Sequence, residues 1–183
     1  RRFFASDQAL TLIQGWDDVA GLISRWYKEF SKNNKAASAQ ARELTGKTTD
    51  ERQRAEAIFQ YIQQNISSSG VLGVNLSRTA DDVLKTKRGD PDEINALFVV
   101  MADAAKVSAD LVLLAPRDSE TLVSIFPSYG QIGRAIVRLN LKAGPVLAEP
   151  ADPAASFGDL PWYEKGVMGL AVRGNKMEQL TIP

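Results

Sequence analysis

The chain has no cysteine and no histidine. The first absence excludes disulfides, thiolate metal sites and every thiol nucleophile. The second removes the side chain that most often acts as a general base near neutral pH. An excess of charge is missing too, because 22 Lys and Arg balance 22 Asp and Glu. With no net field to draw polyanions, nucleic acid is not an expected partner. Long apolar runs are also lacking: Ala96 to Ala102, closed by Asp103, falls far short of the roughly 20 residues that cross a bilayer, so no membrane insertion is expected. The opening Arg1-Arg2-Phe3-Phe4 has neither an initiator Met nor a following apolar stretch of signal-peptide type, and reads as cut from something longer.

What is present suits one core. The 183 residues are 44% hydrophobic, enough for one sizeable domain and too few for two ordinary ones. Trp16, Val19, Ala20, Ile23, Trp26, Tyr27 and Phe30 recur at spacings of three and four, which predicts a helix from Trp16 to Phe30. A more polar, Ala-rich helix is expected from Ala36 to Leu44, stopped at Gly46. Thr49 or Asp50 caps a third, with Ala55, Ile58, Phe59, Ile62 and Ile66 on its buried face and Ser67 to Gly70 as its breaker. Thr79 opens a brief helix through Val83 and Leu84. Asp90 then caps a helix with Pro91 first and Glu93 third, and Ile94, Leu97, Phe98 and Met101 make it the central core helix.

Beyond Lys106 the pattern changes to strand-like runs: Leu111 to Leu114, Ala135 to Leu141, Val146 to Ala148, Met168 to Arg173 and Lys176 to Thr181. Val137, Leu139 and Leu141 alternate with Arg138 and Asn140, as in a half-buried antiparallel strand. Helices first and strands second predict an α+β domain with the central helix packed on a C-terminal antiparallel sheet.

These segments resemble the transglutaminase-like (cysteine-protease-like) core of bacterial extracytoplasmic proteins. The carriers are Ala55 to Ile66, Thr79 to Leu84, the turn Lys87-Arg88-Gly89-Asp90-Pro91-Asp92, and Ala96 to Leu114. In the family a "ryGDCkD" turn opens the central helix with its cysteine, an "NH" pair opens a later strand, and "yylDpt" ends the next. Here the matching stretches are Ile132 to Val137 and Val146 to Ala151, while Phe157-Gly158-Asp159-Leu160-Pro161 and Gly166 to Val172 look like the family's ending. The resemblance divides the chain into an N-terminal helical segment, 1–48, joined to an upstream domain of the same parent chain, and a core, 49–183. It also implies a periplasmic or extracellular location.

Residue by residue, the resemblance puts the nucleophile position on Pro91, the base on Arg134 and the orienting acid on Glu149. Proline offers no nucleophile and no N–H, and a guanidinium cannot accept a proton as imidazole does. Only Glu149 could keep a version of its role. The expectation is an inactive domain with no catalytic residue and no cofactor, holding a polypeptide or a glycan. Each substitution also has a plain structural reading: Pro suits a first helical position, and Arg134 and Glu149 would be solvated charges on neighbouring strands. A more specific expectation is that Arg134 and Glu149 form an ion pair in the old cleft.

Candidate binding residues are Asp90, Asp92, Tyr129, Trp162 and Tyr163, with Phe126 in the same loops. Asp90, Asp92 and Glu93 read as a cap with dipole partners rather than a metal site. Lys85, Lys87 and Arg88 read as a solvated helix end, and no glycine pattern for phosphate exists. Ser124 and Ser128 are hydroxyls without a base. Two competing functions remain open at this stage. One is hydrolytic chemistry relocated to Glu149 with Asp90, Asp92 or Asp152; the other is a purely structural spacer in a larger envelope protein.

Overall fold

A computed structural model describes residues 13–71, 73, 74, 76–115, 117, 125 and 127–183. Five helices come first: α1 (Trp16–Ser31), α2 (Lys35–Thr45), α3 (Glu51–Asn65), α4 (Ala80–Thr86) and α5 (Pro91–Ala104). The short strands β1 (Ser67–Ser68) and β2 (Arg88–Gly89) pair in parallel. Five more strands, β3 (Ala109–Leu114), β4 (Arg134–Leu141), β5 (Gly144–Ala148), β6 (Met168–Arg173) and β7 (Lys176–Thr181), form an antiparallel sheet in the order β5-β4-β3-β6-β7. The fold is α+β, as the order of sequence patterns predicts.

Local chemistry sets the helix starts. Asp50 accepts the Gln53 N–H at 2.8 Å, and Thr79 and Asp82 cap α4 reciprocally. At α5 the capping box joins Asp90 and Glu93 around Pro91. Gly89 is required here for space, since a Cβ would stand 3.0 Å from Ile94 Cγ1 and 3.1 Å from Val83 Cγ1.

Helix α5 is the axle of the core. Every residue from Pro91 to Ala102 is buried, and the helix touches α2, α3, α4, β3 and β4. Alternate strand residues divide between two apolar layers. Leu111, Leu113, Ala135, Val137 and Leu139 join the helices, whereas Val112, Leu114, Ile136 and Ala171 meet Leu160 and Ile182 on the far side.

Sequence periodicity places β6 and β7 at their observed bounds and shortens β3, β4 and β5 at the N-terminal end. The β1–β2 pairing has no sequence signal, because two residues cannot display a period. Ser124 and Phe126 lie outside the described residues.

Candidate functional site

The N-terminus of α5, the start of β4 and the segment after β5 meet at one buried spot, and these carry Pro91, Arg134 and Glu149. Pro91 occupies the first helical position and is buried. One residue further on, Asp92 Oδ1 accepts the Ala135 N–H at 2.6 Å, tying the helix start to β4. Asn95, one turn into α5, uses its whole amide as a bridge. Its Nδ2 donates to the Ala135 carbonyl at 2.7 Å and to Glu149 Oε2 at 2.9 Å, and its Oδ1 accepts the Ala151 N–H at 3.2 Å.

Arg134 does not pair with Glu149, against expectation. Its partner is Glu164, at 3.0 Å, with the Tyr163 hydroxyl at 3.3 Å and the Tyr163 ring 5.0 Å from the guanidinium carbon. Two physical causes account for the exchange. Asn95 already engages Glu149 from below, and the single 3₁₀ turn Trp162–Glu164 lays Glu164 against the guanidinium. Nor are Arg134 and Glu149 solvated strand charges, because Glu149 and Glu164 are fully buried and the Arg134 side chain is 15% exposed.

Three carboxyl groups thus face one guanidinium away from water. Among the described residues, Asp92 Oδ2, Glu149 Oε1, Glu164 Oε2 and Arg134 Nε have no hydrogen-bond partner. Charge that is buried and unshared is costly, so protonation is favoured. Burial is the leading cause in each case: it pushes the Asp92 carboxyl up to about 7 against the Ala135 N–H and the Arg134 charge. It also raises Glu164 to about 7 and, helped by the Glu164 charge, lifts Glu149 well above the carboxylate range.

The other predicted residues divide. Asp90 accepts from the Ser69 hydroxyl and caps α5. Tyr129 is half-buried, donates to the Val74 carbonyl and stacks edge-on against Trp26 at 5.0 Å. Tyr163 donates to Asp152 Oδ2 at 2.9 Å. Trp162 is 69% exposed, with its ring 5.9 Å from that of Tyr163. Lys87 is not simply solvated, since its ammonium meets the Tyr61 hydroxyl at 2.7 Å.

Two members of the cluster, Asn95 and Glu164, carry no motif. The one available signal for Asn95 is its polarity inside an otherwise apolar run; Glu164 has none. A cavity of about 570 Å³ is lined by Gln63, Gln64, Asn65, Ile66, Ser67, Ser68 and Lys87 together with Pro150, Ala151 and Pro153, which follow Glu149 in sequence. Its walls mix amides and hydroxyls with the Lys87 ammonium and with apolar Ile66, Pro150 and Pro153. Among the described residues no group of acidic side chains is arranged to hold a metal ion.

A central helix opening beside two strand-end polar residues, on an antiparallel sheet, defines a papain-like architecture stripped of its thiol and imidazole. The Transglutaminase-like superfamily model matches residues 38–138, more than half of the chain, and the chain belongs to that superfamily. The match includes Pro91 and Arg134. A crystal structure from Parabacteroides distasonis, provisionally assigned as a protease, shares the fold with a TM-score of 0.72 at 18% identity. That likeness covers 93% of this chain and 32% of the other, so the chain spans about a third of that protein's length. No curated protein sequence matches. Among the described residues no helix is long and apolar enough to cross a membrane.

Proposed function

We propose that this is a catalytically inactive transglutaminase-like domain that serves as a binding or scaffolding module within a longer, extracytoplasmic bacterial protein. The observation that carries the reading is what stands at the three positions that the resemblance matches to the catalytic triad. A buried proline replaces the nucleophile, a guanidinium engaged by Glu164 replaces the base, and the acid is sealed under Asn95. The usual chemistry pairs a thiolate at a helix N-terminus with an imidazole beside it, and the sequence holds neither cysteine nor histidine.

The ligand class is polypeptide or glycan. The cavity beside Pro150 supports it, because its amides and hydroxyls can pair with peptide carbonyls or sugar hydroxyls while Ile66 and Pro153 offer apolar contact. Exposed Trp162 offers a flat apolar surface nearby in sequence to the same segment. Relocated carboxylate chemistry has less support: Asp92 and Glu149 are each at most 1% exposed and would have to be uncovered before touching a substrate.

Incubating the purified chain with peptide, amine-donor and oligosaccharide panels from pH 5 to 9 tests both halves. The expected result is no turnover at any pH, with saturable binding to one panel. Cleavage that disappears in the E149Q variant would establish the enzyme instead.

A further inference from the structure

Among the described residues, one short piece of chain closes the cluster around Arg134 from outside. The segment from Pro161 to Lys165 brings Tyr163 and Glu164 over the guanidinium, while the floor beneath belongs to α5, β4 and the end of β5. Among the described residues this cover is held by the Lys165–Asp159 ion pair and by a small set of bonds to the rest of the chain. Tyr163 binds Asp152 and, through its carbonyl, the Arg117 N–H at 2.9 Å, and Gly166 N–H binds the Ile182 carbonyl at 2.8 Å. On either side the chain bends at Gly158 and Gly166, with φ of 84° and 69°, conformations that glycine adopts freely.

We propose that this segment is a pH-sensitive latch, closed over the degenerate catalytic positions while the carboxyls beneath it share protons and released from Arg134 as they ionise. The inference concerns regulation of the site described above and rests on reading that site as a former catalytic centre.

The charge count drives it. Asp92 on α5, Glu149 after β5 and Glu164 on the latch face Arg134, the cationic group of the cluster. Asp90 and Asp152 add negative charge at the margins, Tyr129 and Tyr163 border the cluster as neutral phenols, and on the latch itself Lys165 pairs with Asp159 while the Arg117 guanidinium packs against Gly166. With one carboxylate ionised the cluster is neutral and closed. Each further ionisation adds an unpaired negative charge in a dry site. Asp92 and Glu149 are fixed to the floor by Ala135 and Asn95, whereas Glu164 rides on a segment that can leave. The strain is therefore relieved by moving Glu164 into water. The transition therefore falls where a second carboxyl of the cluster gives up its proton, and burial raises all three toward or above neutral pH.

Hydrogen exchange of the full chain, read by mass spectrometry from pH 6 to 9 and corrected for intrinsic base catalysis, tests the proposal. Peptides spanning 159–166 should lose about tenfold in protection per pH unit past the transition, the proportion one proton imposes, while α5 keeps its protection. The conservative E164Q variant should stay closed throughout, and E149Q should open at higher pH. Protection independent of pH, simultaneous loss in α5, or opening of E164Q alongside the parent would each overturn the latch. Turnover assays at pH 6 and 9 separate this from the functional reading. A static segment without turnover defeats the latch alone, whereas cleavage at pH 9 that E149Q abolishes defeats the claim of inactivity and leaves the latch standing.

Discussion

Asp92 and Glu93 are sequence neighbours, sit on the same turn of α5 and are each 1% exposed, yet their carboxyl groups are driven in opposite directions. At Glu93, burial pushes upward but is outweighed by the hydrogen bonds from Arg78 and the Asp90 N–H, and the group ends below its ordinary range. At Asp92 burial wins over the Ala135 N–H, the residue's own N–H and the Arg134 charge, and Oδ2 has no partner among the described residues. Glu93 is bound by a fork of donors on its own side of the helix, whereas Asp92 looks into a crowd of other carboxyls. Burial alone does not decide the state of a carboxyl; the number of donors that come with it does.

The contrast can be broken most forcefully at the shared guanidinium. Replacing Arg134 in R134M should cost roughly 3–5 kcal/mol at pH 8, the penalty for stranding buried carboxylates, and clearly less at pH 5, where those groups take protons. Denaturant unfolding at both pH values checks it; equal losses would mean that Arg134 contributes packing and not charge. Next in size is N95A, which removes a bridge to Ala135, Glu149 and Ala151 and should cost roughly 2–3 kcal/mol by leaving buried groups unpaired.

The pH dependence sharpens the comparison, since the two neighbours predict opposite slopes. A carboxyl raised in the folded state holds a proton that the unfolded chain has released, so Asp92 makes stability fall as pH rises from about 4, the unfolded carboxyl value, to about 7. D92N should flatten that fall, gaining on the order of 1–2 kcal/mol at pH 8 and nothing near pH 4. Glu93 acts in the other sense: its contribution is present above the unfolded value and lost as pH falls through its depressed folded value. R78M should therefore cost on the order of 1 kcal/mol at neutral pH, discounted because Arg78 is about a third exposed, with the loss shrinking in acid. Smallest of all, W162A should change stability by less than about 0.5 kcal/mol while weakening ligand binding in the panel experiment.

Much of the site was legible before its geometry was known. The turn Gly89-Asp90-Pro91 announces a capped helix through residue types at fixed offsets, and Val137, Leu139 and Leu141 announce a strand through alternation. Missing thiol and imidazole could be read directly. The partner of Arg134 could not, because nothing in Pro161-Trp162-Tyr163-Glu164 has a period or spacing that points to β4. Asn95 was visible only as a polar residue in an apolar run, with three possible bonds and no indication of which groups would supply them. Solvation was misjudged for the same reason: Glu149 ends an edge strand by sequence, but the chain beyond it folds back and seals it.

The sequence by itself determined the order of helices and strands, the start of α5 and the loss of thiol and imidazole chemistry, since caps, amphipathic periods and residue identities act within a few positions of one another. Tertiary structure alone decided that Glu164 rather than Glu149 takes Arg134, that Asp92 and Glu93 part company, and that three carboxyls share one cation. Desolvation and pairing depend on which distant segments arrive at the same place, and that is settled by packing across the whole fold.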